Sequence, residues 1–169
     1  ELAQQLVGSV VAVAFGGGAE KLAAECGAAG VQKLVAANDA SFNQSSAEQY
    51  GVVLQQIIAQ EKVSVVLATA SGFGKDLCAR AAAQSKSGLA TDCTSLSLEA
   101  GKLSAKRPVF SGKALVDVQI STPVQFATSR ANSYPLPAMG SPAAELQVFA
   151  GQASGGHTKV LEVVQSEAG

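Results

Sequence analysis

Residues 63–78 read Val63-Ser64-Val65-Val66-Leu67-Ala68-Thr69-Ala70-Ser71-Gly72-Phe73-Gly74-Lys75-Asp76-Leu77-Cys78. Val63 to Ala68 is apolar and β-branched almost throughout, the mark of a strand buried on both faces. A glycine-bearing turn follows. Leu77, Cys78, Ala81 and Ala82 then fall on one face of a helix predicted over residues 75–86. The same grammar occurs upstream. Val10 to Phe15 is a continuous apolar run, Gly16-Gly17-Gly18 is its turn, and Ala19, Leu22, Ala23 and Cys26 have helical spacing. That helix, residues 19–28, should stop near Gly27 or Gly30. Val31 to Ala36 reads as another strand. Ser45 with Glu48, or Ser46 with Gln49, offers a capping box for a helix whose apolar face is Tyr50, Val53, Leu54, Ile57 and Ile58. Strands alternating with helices of this length imply parallel βαβ units, and hence an α/β fold.

The grammar changes after Gly88. Leu103, Ala105 and Val109 alternate with polar neighbours, as do Ala114, Val116, Val118 and Ile120, and then Val124 and Phe126. A period of two predicts half-buried antiparallel strands, joined by turns at Ser111-Gly112 and Ser121-Thr122-Pro123. Ser133 to His157 is rich in Pro, Gly, Ala and Ser and reads as a connector, with a short strand expected at Val160 to Val164. Residues 1–7 have the spacing of a helix end, which suggests a strand upstream of it.

Composition narrows the function. The chain has 169 residues, 12 basic and 13 acidic, for a net charge of −1, so it carries no excess positive charge for a phosphate backbone, and nucleic acid is not an expected partner. Its hydrophobic content of 47% excludes a disordered chain. The apolar runs fall far short of the roughly 20 residues of a membrane span, and no direct membrane insertion is expected. Glu1-Leu2-Ala3-Gln4 has no basic leader character. Cys26, Cys78 and Cys93 are odd in number and form no C-x-x-C pair, so idle thiols are the expectation and a metal site is not.

Candidate chemistry is sparse. Gly16 and Gly18 match part of a dinucleotide fingerprint, but the third glycine position is Lys21, and Asp39 lies beyond the place for a ribose-binding acid. A tight turn explains these glycines. Ser71 to Asp76 is not a phosphate loop, because Thr69 stands where the first glycine belongs and Asp76 where a hydroxyl would hold Mg²⁺. Ser71 instead suits a helix cap, and Asp76 the positive helix end. The only histidine, His157, has no apparent carboxylate partner, and the acids Asp92 and Glu99 have no spacing argument behind them. Phe42, Tyr50, Phe73, Phe110, Phe126, Tyr134 and Phe149 are scattered and read as core. No catalytic, cofactor-binding or metal residue is assigned.

Residues 66–134 carry a more specific signal. Val66-Leu67-Ala68-Thr69-Ala70-Ser71-Gly72-Phe73-Gly74-Lys75-Asp76-Leu77 is followed by Arg80-Ala81-Ala82-Ala83 and by Thr91-Asp92-Cys93. Next come Arg107-Pro108-Val109-Phe110-Ser111-Gly112-Lys113-Ala114 and Ser129-Arg130-Ala131-Asn132-Ser133-Tyr134. In order and spacing these segments resemble the N-terminal domain of the electron transfer flavoprotein alpha subunit, with its A-S-x-F-G-K-x-L, R-P-x-Y-A-G-N-A and V-R-x-N-S-F motifs. Gly30 to Ala36 is similar to the family's G-x-x-K-V-L-V-A strand. Gly72, Ser111, Lys113 and Tyr134 are mild departures.

The resemblance implies a Rossmann-like three-layer domain of the adenine nucleotide alpha hydrolase type over residues 1–134. Residues 135–169 would then lead towards a flavin domain. It also implies a chain that lacks the family's first strand and its FAD-binding C-terminal domain, so that no FAD residue can be carried over. The implied protein is an electron carrier, not an enzyme. Its expected partners are the beta subunit, dehydrogenase donors and a membrane quinone oxidoreductase as acceptor. The expected setting is a bacterial cytoplasm or a mitochondrial matrix. One rival expectation is a free-standing nucleotide-binding module using Gly16–Gly18 and Ser71–Lys75. A weaker rival is a hydrolase using His157.

Overall fold

The computed structural model describes residues 3, 9–44, 46–135, 140, 142–153, 157–158, 161–162 and 164. The three expected strands become β1 (Val11–Phe15), β2 (Lys33–Ala37) and β3 (Val65–Thr69). Between β1 and β2 the chain forms a 3₁₀ turn, Ala19–Leu22, and then α1 (Ala23–Ala28), in place of one continuous helix over 19–28. A second 3₁₀ turn, Ala40–Gln44, precedes α2 (Ala47–Gln60). At its N-terminus Gln49 Oε1 accepts from the Ser46 backbone N–H at 3.1 Å, the Gln49 half of the Ser46/Gln49 capping box. Ser45, the other register, lies outside the described residues. α3 (Gly72–Gln84) starts three residues earlier than periodicity alone suggests, because Ser71 Oγ caps it by accepting from Gly74 N–H at 3.0 Å.

The second half holds β4 (Gly88–Cys93), β5 (Ser95–Glu99), β6 (Lys102–Val109), β7 (Ala114–Ile120), β8 (Gln125–Ser129) and β9 (Glu145–Val148). β6 and β7 form the antiparallel hairpin that alternation predicts, with a turn across Phe110–Lys113, and β5, which that alternation does not mark, pairs antiparallel with β6. The antiparallel expectation for Val124 and Phe126 is overturned. β8 runs parallel between β3 and β4, with Phe126 opposite both Val66 and Leu89. Its side chains are buried from Gln125 to Thr128. Two of those four are polar and each is bonded. Gln125 Oε1 accepts from Leu103 N–H at 2.6 Å and its Nε2 donates to Gly101 O at 2.8 Å. Thr128 Oγ1 accepts from Asp92 N–H at 3.0 Å.

The stretch read as a connector also contains a strand. β9 pairs parallel with β2, Leu34 opposite Leu146. Its approach is allowed by Gly27, buried in α1: a Cβ there would overlap Pro142 O and lie 2.5 Å from Ala144 N. Ala144 N–H donates to Ala23 O at 2.9 Å across this contact. The strand expected at 160–164 is not seen at Leu161, Glu162 or Val164, and the other two positions lie outside the described residues. Of the helix end expected over residues 1–7, only Ala3 is described, and it is helical.

The α/β architecture therefore holds, with helices over parallel strands and an antiparallel addition. The parallel strands fall in two three-stranded sheets, β1-β2-β9 and β3-β8-β4. α2 and α3 lie across both. Leu54, Ile58, Leu77 and Cys78 gather Val13 and Phe15 from one sheet and Val66 and Phe126 from the other into one core cluster. On the far flank, Ala90, Cys93 and Ala127 pack against Leu96, Leu103 and Ile120 of the antiparallel sheet.

Candidate functional site

The two loops weighed as ligand sites, Gly16–Gly18 and Ser71–Asp76, follow β1 and β3 at the carboxyl ends of parallel strands, where ligands of open α/β sheets bind. After β1, Gly16 and Gly18 both take positive φ, 99° and 90°, which glycine adopts without a Cβ penalty. Gly16 N–H donates to Ala37 O at 2.9 Å, and Gly17 N–H to Asn43 Oδ1 at 2.6 Å. A Cβ on Gly17 would stand 3.1 Å from that same Asn43 oxygen. The turn is thus a closed structural unit, and the helix after it, at six residues, is short.

After β3, the Ser71 hydroxyl is spent on the cap. Gly74 is required here because a Cβ would overlap the Thr69 carbonyl oxygen. Asp76 pairs with Arg80 at 2.9 Å, one turn along the helix. Phe73 meets Tyr50 edge-on with centroids 5.6 Å apart, and Tyr50 in turn lies 4.7 Å from Phe15 and 6.3 Å from Phe42. The aromatics are therefore less scattered than their positions in the chain suggest. Four of them make one cluster beside the first two loops, with Phe42 buried and Phe73 half-exposed. Phe110 corrects the core expectation outright, since it is 79% exposed at the tip of the β6–β7 hairpin.

The third loop group forms where three sequence motifs converge. Arg130, just after β8, holds Asp92 with two hydrogen bonds, Nε to Oδ1 at 3.1 Å and Nη2 to Oδ2 at 2.7 Å. Asp92 sits at φ 58°, a backbone state fixed by its own N–H bond to Thr128. Arg130 N–H donates to Cys93 O at 2.8 Å. The hydrogen bond from Arg130 holds the Asp92 carboxyl below its ordinary value against the opposing effect of burial, and the charges of Arg130, Lys75 and Arg107 add to the lowering. Asp92, Arg107, Pro108, Phe110 and Arg130 line a shallow cleft of about 470 Å³. Tyr134, the last residue of the Ser129–Tyr134 motif, accepts from Leu96 N–H at 2.7 Å through its hydroxyl. Asp92 has no spacing argument in the sequence for a pairing with Glu99. Its real partner is 38 residues away, and only the fold brings them together.

His157 is exposed, and its backbone N–H, rather than its imidazole, meets Glu48 Oε2 at 2.8 Å. A carboxylate therefore does lie near it, but it is bound to the main chain. Cys78 and Cys93 are buried and unpaired in any disulfide, and burial pushes the Cys78 thiol up to about 11. Among the described residues no group of His, Cys, Asp and Glu could hold a metal, and no helix is long and apolar enough to cross a membrane.

A sequence model of the electron transfer flavoprotein domain matches residues 1–154. The chain belongs to the electron transfer flavoprotein family. It is 32% identical over 126 residues to the electron transfer flavoprotein subunit alpha of Bacillus subtilis, covering 75% of this chain and 39% of that protein. It is 30% identical over 123 residues to the subunit alpha of Clostridium acetobutylicum, covering 72% and 37%. It is also 31% identical over 139 residues to the lactate dehydrogenase (NAD(+),ferredoxin) subunit LctC of Acetobacterium woodii, covering 81% and 33%. The chain thus spans between a third and two fifths of these curated relatives. The matches do not favour a free-standing nucleotide-binding module.

Proposed function

We propose that this chain is the structural α/β domain of an electron transfer flavoprotein alpha subunit. The observation that carries the reading is how the strand-end loops are used. Gly17, Ser71, Asp76 and Asp92 direct their polar groups at partners within the chain, so the loops rigidify the domain instead of cradling a ligand. FAD belongs to a further domain, reached through residues 135–169. That stretch adds β9 to the first sheet on its way, so it is anchored to the domain as well as leading from it.

In this reading the whole protein is a carrier and holds no catalytic residue in residues 1–134. It pairs with a beta subunit as a heterodimer. It takes electrons from dehydrogenases, of which those of fatty acid oxidation are one class, and passes them to a membrane quinone oxidoreductase. Its place is a bacterial cytoplasm or a mitochondrial matrix. The family match over residues 1–154 and the relatives named subunit alpha support this reading.

The test is co-expression of the natural-length protein with the beta subunit from the same source. The expected result is an equimolar heterodimer that is yellow and is bleached by a reduced dehydrogenase. A natural-length chain that purifies alone and colourless, whether or not the beta subunit is present, contradicts the proposal.

A further inference from the structure

The cleft that holds the Asp92–Arg130 pair is walled by the end of β6, the β6–β7 turn and the residues at the ends of β4 and β8. Thr94 N–H, just past β4, donates to Lys106 O at 2.9 Å, which sets Arg107 beside the end of β4. The Arg107 charge is felt at both Asp92 and Cys93. Lys75, in the first turn of α3, adds its charge at Asp92. Three cations therefore act on one carboxylate, an excess of two positive charges. Arg130 already occupies both oxygens of that carboxylate. Among the described residues neither Lys75 nor Arg107 has an ion-pair partner within contact distance.

The donors in the cleft are not used up by the chain. Arg107 Nε is buried and makes no hydrogen bond among the described residues. Buried donors in folded proteins are nearly always paired, so an unpaired one points to an acceptor from outside the chain. Arg130 holds Asp92 side-on through Nε and Nη2, which leaves the Nη1 end of its guanidinium to the cleft it lines. The turn at the end of β6 adds a strained aromatic. Gly112 N–H donates to Val109 O at 3.1 Å, and the two residues between, Phe110 and Ser111, both take positive φ, 51° and 55°. Turns of this form favour Asn and Gly, and a bulky side chain there is an outlier. Packing does not account for Phe110, because its ring is exposed. Backbone strain of this kind collects at binding sites.

We propose that this cleft binds the phosphate group of a small phosphomonoester, held between Arg107 and Arg130, with Phe110 against the organic part of the ligand. A phosphomonoester carries close to two negative charges at neutral pH, which matches the excess of two, whereas a carboxylate carries one. Guanidinium groups pair with phosphate oxygens through parallel N–H bonds, and two arginines on one cleft can take separate oxygens. Lys75 contributes as a further positive charge. The Asp92–Arg130 pair stays intact on binding, since Asp92 is what fixes the direction of the Arg130 guanidinium. Pro108, Val109 and Phe110 give the cleft an apolar wall, which an inorganic ion would leave unused.

The experiment is calorimetric titration of the natural-length protein with phenyl phosphate, inorganic phosphate and benzoate at neutral pH and fixed ionic strength. NMR detection of the arginine Nε–H signals accompanies it. We expect phenyl phosphate to bind with a Kd below about 1 mM, more tightly than either other probe, and to shift the Arg107 Nε–H signal. Arg107→Gln should weaken that binding about tenfold or more. Phe110→Asn should raise the melting temperature, because Asn suits the turn, and should lower the affinity for phenyl phosphate to that for inorganic phosphate. Weaker binding of phenyl phosphate than about 1 mM would overturn the proposal. So would benzoate binding as tightly, which marks a carboxylate site. A preference for phenyl phosphate that survives in Phe110→Asn, or an affinity that Arg107→Gln leaves unchanged, would overturn it too.

Discussion

Ser71 and Gly74 stand at the cap and in the first turn of one helix and do different work. Ser71 satisfies an N–H that the helix cannot, so Ser71→Ala should cost about 1 kcal/mol in urea denaturation, and Ser71→Gly only a few tenths. Gly74 is there because β3 passes too close for a side chain. Gly27 plays the same role for β9. Gly27→Ala should destabilise the protein by about 2 kcal/mol, the usual range for overpacking against backbone. It should also expose the Ala144 amide to exchange, because the clash falls on the segment that bonds to Ala23. In the sequence Gly27 could be read only as a helix stop, since the chain that crosses it lies more than 100 residues later and no local pattern announces that contact.

Asp92 gives a pH signature. Its carboxyl is lowered in the folded protein, chiefly by the hydrogen bond from Arg130. A lowered carboxyl binds its proton less readily folded than unfolded. Its contribution is complete above the unfolded value and is lost as pH falls through the folded one. The stability difference between wild type and Asp92→Asn should therefore stay constant from neutral pH to about pH 4 and shrink below that. Thermal melts of the two proteins across this range check the sign. Thiol titration is a second residue-level test. At about pH 8 the buried Cys78 and Cys93 should stay unmodified in the folded protein and react only on unfolding, since burial raises both thiols and blocks access to them.

At the scale of elements, legibility followed the locality of the cause. β1, β2, β3, α2 and α3 each bury a face against near neighbours, so their periodicity appears in the sequence. The β6–β7 hairpin did too, through alternation. β8 did not. Its residues Gln125 to Ser129 resemble a half-polar edge, because two of its buried side chains are polar. Those polar groups are what the position needs. Gln125 holds the backbone of Gly101 and Leu103, and Thr128 holds Asp92, so β8 pins the antiparallel sheet to the parallel one. Gln125→Ala should leave the Leu103 N–H buried without its partner, at a cost of about 1–3 kcal/mol in urea denaturation. The loss should show first as faster exchange at Leu103. β9 was missed for a different reason. Four residues between Pro- and Gly-rich flanks carry too little pattern, and β9 is stabilised by its pairing with β2 and by the space over Gly27.

For the whole molecule, the family was legible because its motifs mark the places where distant segments meet. Thr91-Asp92-Cys93, Arg107-Pro108 and Ser129-Arg130 were separate matches in the sequence, and the fold draws Asp92, Arg107 and Arg130 to one cleft. In the same fold the polar groups of the candidate loops bond within the domain, Gly17 N–H to Asn43, Gly74 N–H to Ser71 Oγ and Arg80 to Asp76. On this account the flavin and the electron transfer lie outside residues 9–135, and this domain positions them. Hydrogen exchange across residues 9–135 of the natural-length protein, with flavin bound and with flavin removed, tests that claim most directly. The account predicts rates at Gly16–Gly18 and Ser71–Lys75 that agree within about twofold in the two states. Loss of protection at either loop when the flavin leaves would contradict it.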